Sequence, residues 1–297
     1  MIKKRLVLFV LSAIVGACNL PAPKPDENVV GIDTTQSYAN TQEATAVLSP
    51  TPTPTLLPTP VIIFSITDGD QALFFGDWGA ALEIYTNVLN MASDPELRSA
   101  ALLGLGRTQY QMRDYEAALQ TLQSLLVQYP TSEQVPVAYI VLAETYEIIG
   151  RYQDVVDSLS AYLSLRPGVI DSYIQEWRGD DLVAVGNISA AIEAYQIALS
   201  TERVGDTLAI EIKIANAYAS QGDHNTAVVA YQDLYNRTSN EFTKAYLDYQ
   251  TGQSYSALGQ LDQSNAAYLD AVENYPLSYD SYLALIILVE SGYPVDE

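Results

Sequence analysis

Residues able to do chemistry are scarce in this chain. Among 297 residues there is one Cys, Cys18, and one His, His224. That is too few for a four-ligand zinc site, a disulfide framework or a Cys/His dyad. Cys18 follows Val15-Gly16-Ala17 and has no second thiol to pair with. Carboxylates are plentiful, and Glu144/Glu147 and Asp180-Asp181 stand as pairs. Acid–base catalysis would need such a pair buried beside a cleft, and in so acidic a chain such pairs arise by accident. Gly104-Leu105-Gly106 lacks the third glycine and the Lys-Ser/Thr of a phosphate loop. His224 sits at a repeated turn position described below, where packing accounts for it. No catalytic residue, cofactor site or metal site is expected, and the chain as given reads as a non-enzyme.

Charge excludes a further class. There are 14 Lys+Arg against 36 Asp+Glu, a net charge of −22. Phosphate backbones are bound by Lys/Arg surfaces that release counterions, so nucleic acid is not an expected partner. Residues 1–60 carry four basic and four acidic side chains, so the whole imbalance belongs to residues 61–297. With 48% hydrophobic residues, the chain has enough apolar material to fold.

The amino terminus has its own pattern. Lys3-Lys4-Arg5 precedes an apolar run from Leu6 to Val15, too short to span a bilayer as a helix of about 20 residues. Val15-Gly16-Ala17-Cys18 resembles the bacterial lipobox. That resemblance implies cleavage before Cys18, a lipidated Cys18 at the mature terminus, and an exported protein held on the cell membrane or outer membrane. Residues 19–60 form a 42-residue Pro/Thr-rich linker ending in SPTPTPTLLPTP. Such a sequence favours polyproline II and spans about 35 Å as a coil or about 130 Å fully extended. Residues 1–18, 19–60 and 61–297 are thus read as signal peptide, disordered linker and folded domain.

The elements that must position any site come from a repeat. A bulky residue recurs at Trp78, Tyr115, Tyr152, Ile188, His224 and Leu261, at intervals of 37, 37, 36, 36 and 37. Each follows a turn pair such as Gly76-Asp77 or Gly186-Asn187. Each is followed at +3, +7 and +10 by further residues such as Ala81, Tyr85 and Val88, or Ala191, Tyr195 and Ala198. This spacing draws one stripe on a helix. A second amphipathic helix lies upstream of each turn, as in Leu102, Leu105, Gly106 and Tyr110. Pro130, Pro167 and Pro276 mark where the later helix of a pair stops. A final helix is expected over 281–290, where the run Leu283 to Val289 is almost continuously apolar and would leave an open end.

These residues resemble the tetratricopeptide repeat. The resemblance implies an all-α fold, a right-handed α-α superhelix of about six helix pairs plus a terminal helix. The small residues Ala81, Ala118, Ala191 and Ala227 would mark the close approach of paired helices. It also implies a concave face built from first-helix positions, here Arg107, Tyr110, Glu144, Glu147, Tyr173, Glu176, Asp180, Asn216, Tyr246, Tyr249 and Gln253. Most of the 22 tyrosines fall at packing positions; the rest would line this acidic groove, suited to a basic peptide or to stacking on sugar rings. Such a protein would act as a docking scaffold in the bacterial envelope for a protein or for peptidoglycan.

The run 271–285, AVENYPLSYDSYLAL, taken with the lipobox, linker and repeats, is similar to the helical superhelix of lipoprotein lytic transglycosylases. This implies an alternative in which the chain is the non-catalytic front of a peptidoglycan-cleaving enzyme, whose acid lies beyond Glu297. Glu290-Ser291 matches that family's Glu-Ser pair, but without its downstream Gly-Leu-Met-Gln segment. The lipobox and repeats also resemble outer-membrane assembly lipoproteins.

Overall fold

The computed structural model describes residues 65–294, apart from Pro167, Val169 and Asp206. Cys18, the expected signal peptide, the expected linker of residues 19–60, the helix stop assigned to Pro167 and the residues after Pro294 lie outside the described residues. Among those described there are thirteen α-helices and no strand. We number them α1 (Ile66–Phe74), α2 (Trp78–Met91), α3 (Pro95–Gln111), α4 (Tyr115–Gln128), α5 (Val135–Ile148), α6 (Tyr152–Leu165) and α7 (Asp171–Ala184). Then come α8 (Ile188–Ser200), α9 (Leu208–Ser220), α10 (His224–Arg237), α11 (Glu241–Ala257), α12 (Leu261–Asn274) and α13 (Tyr279–Glu290). Each helix packs on its sequence neighbour, and α3 on α5 and α11 on α13 stack first helices side by side. The result is an all-α superhelix of six helix pairs and a terminal helix.

The tight reversal inside each pair has one cause. Gly76, Arg113, Gly150, Gly186, Gly222 and Gly259 all have positive φ. At the first turn Asp77 N–H bonds Ala72 C=O and Gly76 N–H bonds Leu73 C=O, at 2.9 and 3.2 Å. These are the two bonds that close a helix end through a left-handed residue. The next residue starts the following helix: Asp77, Asp114, Asn187 and Asp223 each accept a hydrogen bond from a first-turn N–H. Arg113 holds the left-handed conformation with a side chain, at φ 65°.

Second-helix stripes are buried throughout. The residues at +3, +7 and +10 from the turn are buried in every pair, from Ala81, Tyr85 and Val88 to Ser264, Tyr268 and Ala271. The bulky turn residues behave differently from the stripe they begin: Trp78, Tyr152 and Leu261 are exposed, Leu261 by 63%. They stand at the first helical position, on the turn edge, and Tyr115, Ile188 and His224 at the same place are half-buried.

A close approach of paired helices lies at a position that the spacing of the second helices does not reveal. Gly69, Gly106, Ala143, Gly179, Ala215 and Gly252 recur sixteen residues before Tyr85, Leu122, Leu159, Tyr195, Tyr231 and Tyr268. A Cβ added at Gly69, Gly179 or Gly252 would stand 2.6, 2.4 or 2.5 Å from the ring of Tyr85, Tyr195 or Tyr268. Tyr85 is pinched from the next unit as well, since a Cβ at Gly104 would lie 2.3 Å away. The rings lie against bare helix backbone, and Gly is the residue that permits it.

The terminal helix corrects two expectations. It begins at Tyr279 rather than residue 281, because the Ser278 side chain caps it by accepting from Asp280 N–H. Its apolar run is mostly covered: Ala284 and Leu288 are buried, Leu283, Leu285, Ile286 and Ile287 are half-buried, and only Val289 of the run is exposed. Packing against α11 and α12 supplies that cover.

Candidate functional site

The first helices set the groove by the same register. The residue following each small position is Asp70, Arg107, Glu144, Asp180, Asn216 and Gln253. A second-helix tyrosine that passes across the bare backbone therefore brings its hydroxyl out beside this residue. Tyr85 donates to Asp70 at 2.6 Å, Tyr195 to Asp180 at 2.8 Å and Tyr231 to Asn216 Oδ1 at 2.9 Å. Burial, helped at Tyr85 and Tyr195 by the bonded carboxylate, holds all three phenols protonated.

The expected groove residues form three groups. In the first, Tyr110 packs on Tyr115 with ring centroids 6.0 Å apart, and burial followed by the charge of Glu144 raises its pKa. Burial pushes the Glu144 carboxyl up to about 7; Arg107 pulls it back and Glu147 adds to the rise. In the second, Lys213 of α9 reaches both Glu176 Oε1, at 2.7 Å, and Asp180 Oδ2, at 2.9 Å. Its ammonium lies 5.8 Å from the centroid of the Tyr195 ring. Arg203, in the α8–α9 connection, pairs with Glu176 Oε2 at 3.0 Å and lies over Tyr173. Burial alone would raise the Glu176 pKa, but its bonds to Lys213 and Arg203 outweigh that and leave it lowered. The third group is neutral. Asn216 Nδ2 donates to the Tyr246 hydroxyl at 2.7 Å, and Gln253 donates to that of Tyr249 at 2.7 Å. Tyr249 lies 5.9 Å from Tyr268.

So the structure brings Arg107, Tyr110, Glu144 and Glu147 together, Tyr173, Glu176 and Asp180 together, and Asn216 with Tyr246. Two residues that complete this part of the surface escaped the sequence reading: Lys213, two positions before the small Ala215, and Arg203, in the α8–α9 connection. Between them they occupy Glu176 and Asp180, so this part of the groove is not the bare acidic surface that composition suggests. Elsewhere, His224 has a buried Nδ1 without a hydrogen-bond partner. Among the described residues no group of three His, Cys, Asp or Glu side chains could hold a metal ion. No described helix is long and apolar enough to cross a membrane.

Comparison with known proteins follows the same lines. Models described as the tetratricopeptide repeat match residues 75–136, 178–241 and 246–278, together more than half of the chain. No curated protein matches. Among solved structures, a tetratricopeptide repeat protein from Parabacteroides merdae is 16% identical with a TM-score of 0.53, over 77% of this chain and 86% of that one. The C-terminal part of a repeat protein from Cytophaga hutchinsonii is 11% identical with a TM-score of 0.57, over 77% and 87%. YrrB, described as having an unusual peptide-binding site, is 15% identical with a TM-score of 0.52, over 69% and 100%. At these identities the likeness is one of fold. The resemblances to lytic transglycosylases and to outer-membrane assembly lipoproteins gain no support from these matches.

Glu144 makes stability depend on pH in a definite sense. Its carboxyl keeps a proton to about pH 7 in the fold, whereas its ordinary value is 4.5. Between those values the folded state binds more protons than the unfolded one, so stability falls as pH rises and levels off above 7. Asp248 of α11, also raised to about 7 by burial and then by Asp270, adds a fall of the same sign. Glu144→Gln is therefore expected to melt higher than the parent protein by a margin that grows from pH 4.5 to 7. Melting curves with a constant difference across that range would show that Glu144 is not desolvated in this way.

Proposed function

Because the chain belongs to the tetratricopeptide-repeat family, we propose that its solenoid is a docking surface for a protein partner, and that the segment it takes is extended and basic. The observation that carries this is Lys213: its ammonium sits between Glu176 and Asp180, near the face of Tyr195. The groove thus already holds a cationic side chain in the way a partner's would be held, by carboxylates and an aromatic ring together. Glu144 and Glu147 lie on the same face of α5, with Tyr110 beside them, and extend that chemistry along the solenoid. The peptide-binding site described for YrrB, on a similar fold, is consistent with this use. Glu176 is held ionised and has no proton to donate, which suits salt-bridge recognition better than acid catalysis.

The same reading extends to location. A lipidated Cys18 anchors the protein to the cell membrane or outer membrane, and the Pro/Thr-rich linker carries the solenoid away from the lipid surface, so the partner is an envelope protein. The support is the basic cluster, the short apolar run and the small residues before the one thiol. Two or more acyl chains are needed for durable anchoring. Cys18→Ser is expected to move the protein from the membrane fraction to the soluble fraction; retention in membranes after that change would end the anchoring proposal.

A hexa-arginine peptide tests the docking itself. It should bind, and a hexa-glutamate peptide should not. Affinity should fall as salt rises, because charges at this exposure are screened over about 8 Å at physiological ionic strength. Glu147→Lys should weaken binding roughly fivefold, about 1 kcal/mol. Binding that ignores both salt and this reversal would place the contact elsewhere.

A further inference from the structure

The α8–α9 connection lays part of the chain into its own groove. Arg203 points inward with its side chain 12% exposed, its Nη1 3.0 Å from Glu176 Oε2. The same nitrogen lies 3.4 Å from Ser172 Oγ, and the guanidinium carbon lies 4.8 Å from the centroid of the Tyr173 ring. The next residue is held by its backbone. The Tyr173 hydroxyl accepts from Val204 N–H at 3.2 Å and donates to Val204 C=O at 2.7 Å. The Val204 side chain itself is 88% exposed. Gly205 follows at φ 112°, a backbone conformation that glycine tolerates and other residues avoid.

This occupancy is incomplete in a telling way. Arg203 Nε is buried without a hydrogen-bond partner, although a guanidinium offers five donors in a fork that suits bidentate pairing. Lys213 meanwhile holds Glu176 by the other oxygen, Oε1, at 2.7 Å. The carboxylate is therefore oriented by one cation and presents its second oxygen to another. Ring face, oriented carboxylate and hydroxyl together make a cradle for a planar cation, and its present occupant is tethered at an angle that leaves a donor orphaned.

We propose that Ser172, Tyr173 and Glu176 form a guanidinium subsite, that residues 201–205 are a strap filling it with Arg203 in the free protein, and that a partner's arginine binds by displacing the strap. The proposal rests on the groove being the docking surface for a basic partner, and it adds the residue type read there and the device that opposes binding. The strap lifts by breaking the ion pair to Glu176, the long bond to Ser172, the stacking on Tyr173 and the two bonds to Val204, while an incoming arginine remakes all but the bonds to Val204. Apparent affinity is the intrinsic affinity multiplied by the fraction of molecules with the strap open.

Titration with hexa-arginine separates the possibilities. Arg203→Ala is expected to bind more tightly than the parent protein, about tenfold if the strap is closed nine-tenths of the time. Tyr173→Phe, which keeps the ring and removes both bonds to Val204, should tighten binding by a smaller factor. Adding Glu176→Gln to Arg203→Ala should abolish the gain. A merely structural Arg203 would give unchanged or weaker binding in all of these variants. If the parent protein binds and neither Arg203→Ala nor Tyr173→Phe binds more tightly, the strap is overturned and the docking role stands. If no variant binds hexa-arginine, both fall.

Discussion

Everything in this solenoid depends on how closely a second helix can lie on the backbone of the first. In three pairs a tyrosine ring lies against a glycine so tightly that a side chain there would force it to move, and in a fourth Leu122 lies as close to Gly106. Ala143 and Ala215 hold the same place in the register of the other two and are buried in the same core clusters as Leu159 and Tyr231. The contact fixes the rotation of each helix about its axis, because a turn of one residue in either helix would put a Cβ into the ring. Rotation in turn decides which first-helix side chains face the groove. Since each unit buries its stripe only against neighbours, an error in one pair would pass to the next.

The groove inherits its chemistry from that contact. A tyrosine that crosses the small residue, Gly69, Gly179 or Ala215, delivers its hydroxyl to the residue that follows it, where Asp70, Asp180 and Asn216 accept it. Those acceptors are then positioned as well as polar. Asp180, held by Tyr195, completes the pair of carboxylates that grips Lys213. Where a unit uses Leu159 in place of tyrosine, its second helix sends no hydroxyl to Glu144, whose charge is resisted by burial. Acidic groups of two characters thus lie one unit apart, one neutralised by the chain's own cations and one poised near neutrality.

Much of this architecture is legible in the sequence because burial on a helical stripe is a local matter. The turn residues Gly76 to Gly259 and the stripes through Tyr85, Leu122 and Tyr195 follow from spacing alone, and each neighbour repeats the same pattern. The ring sockets are visible too, since Gly69, Gly106, Ala143, Gly179, Ala215 and Gly252 keep the repeat interval, but nothing in a single glycine announces that a ring lies on it. Lys213 and Arg203 are another matter. Each acts on α7 from 27 to 37 residues away, and Arg203 does so from a connection whose path no periodicity governs. The groove positions could be named from the register; which of their charges were already matched required the packed structure.

Replacement of Gly179 by Ala, measured by thermal unfolding beside Gly79→Ala, tests the central claim most directly. Both glycines lie within helices, where alanine ordinarily adds up to about 1 kcal/mol of stability. At position 79 the nearest atom to a new Cβ is 3.9 Å away, whereas at 179 it is the Tyr195 ring at 2.4 Å. If the ring-on-backbone contact sets the fold, Gly79→Ala is neutral or stabilising and Gly179→Ala loses about 1–3 kcal/mol to overpacking. Equal gains at both positions would contradict it, and with it the rotation that places Glu176 and Asp180 in the groove.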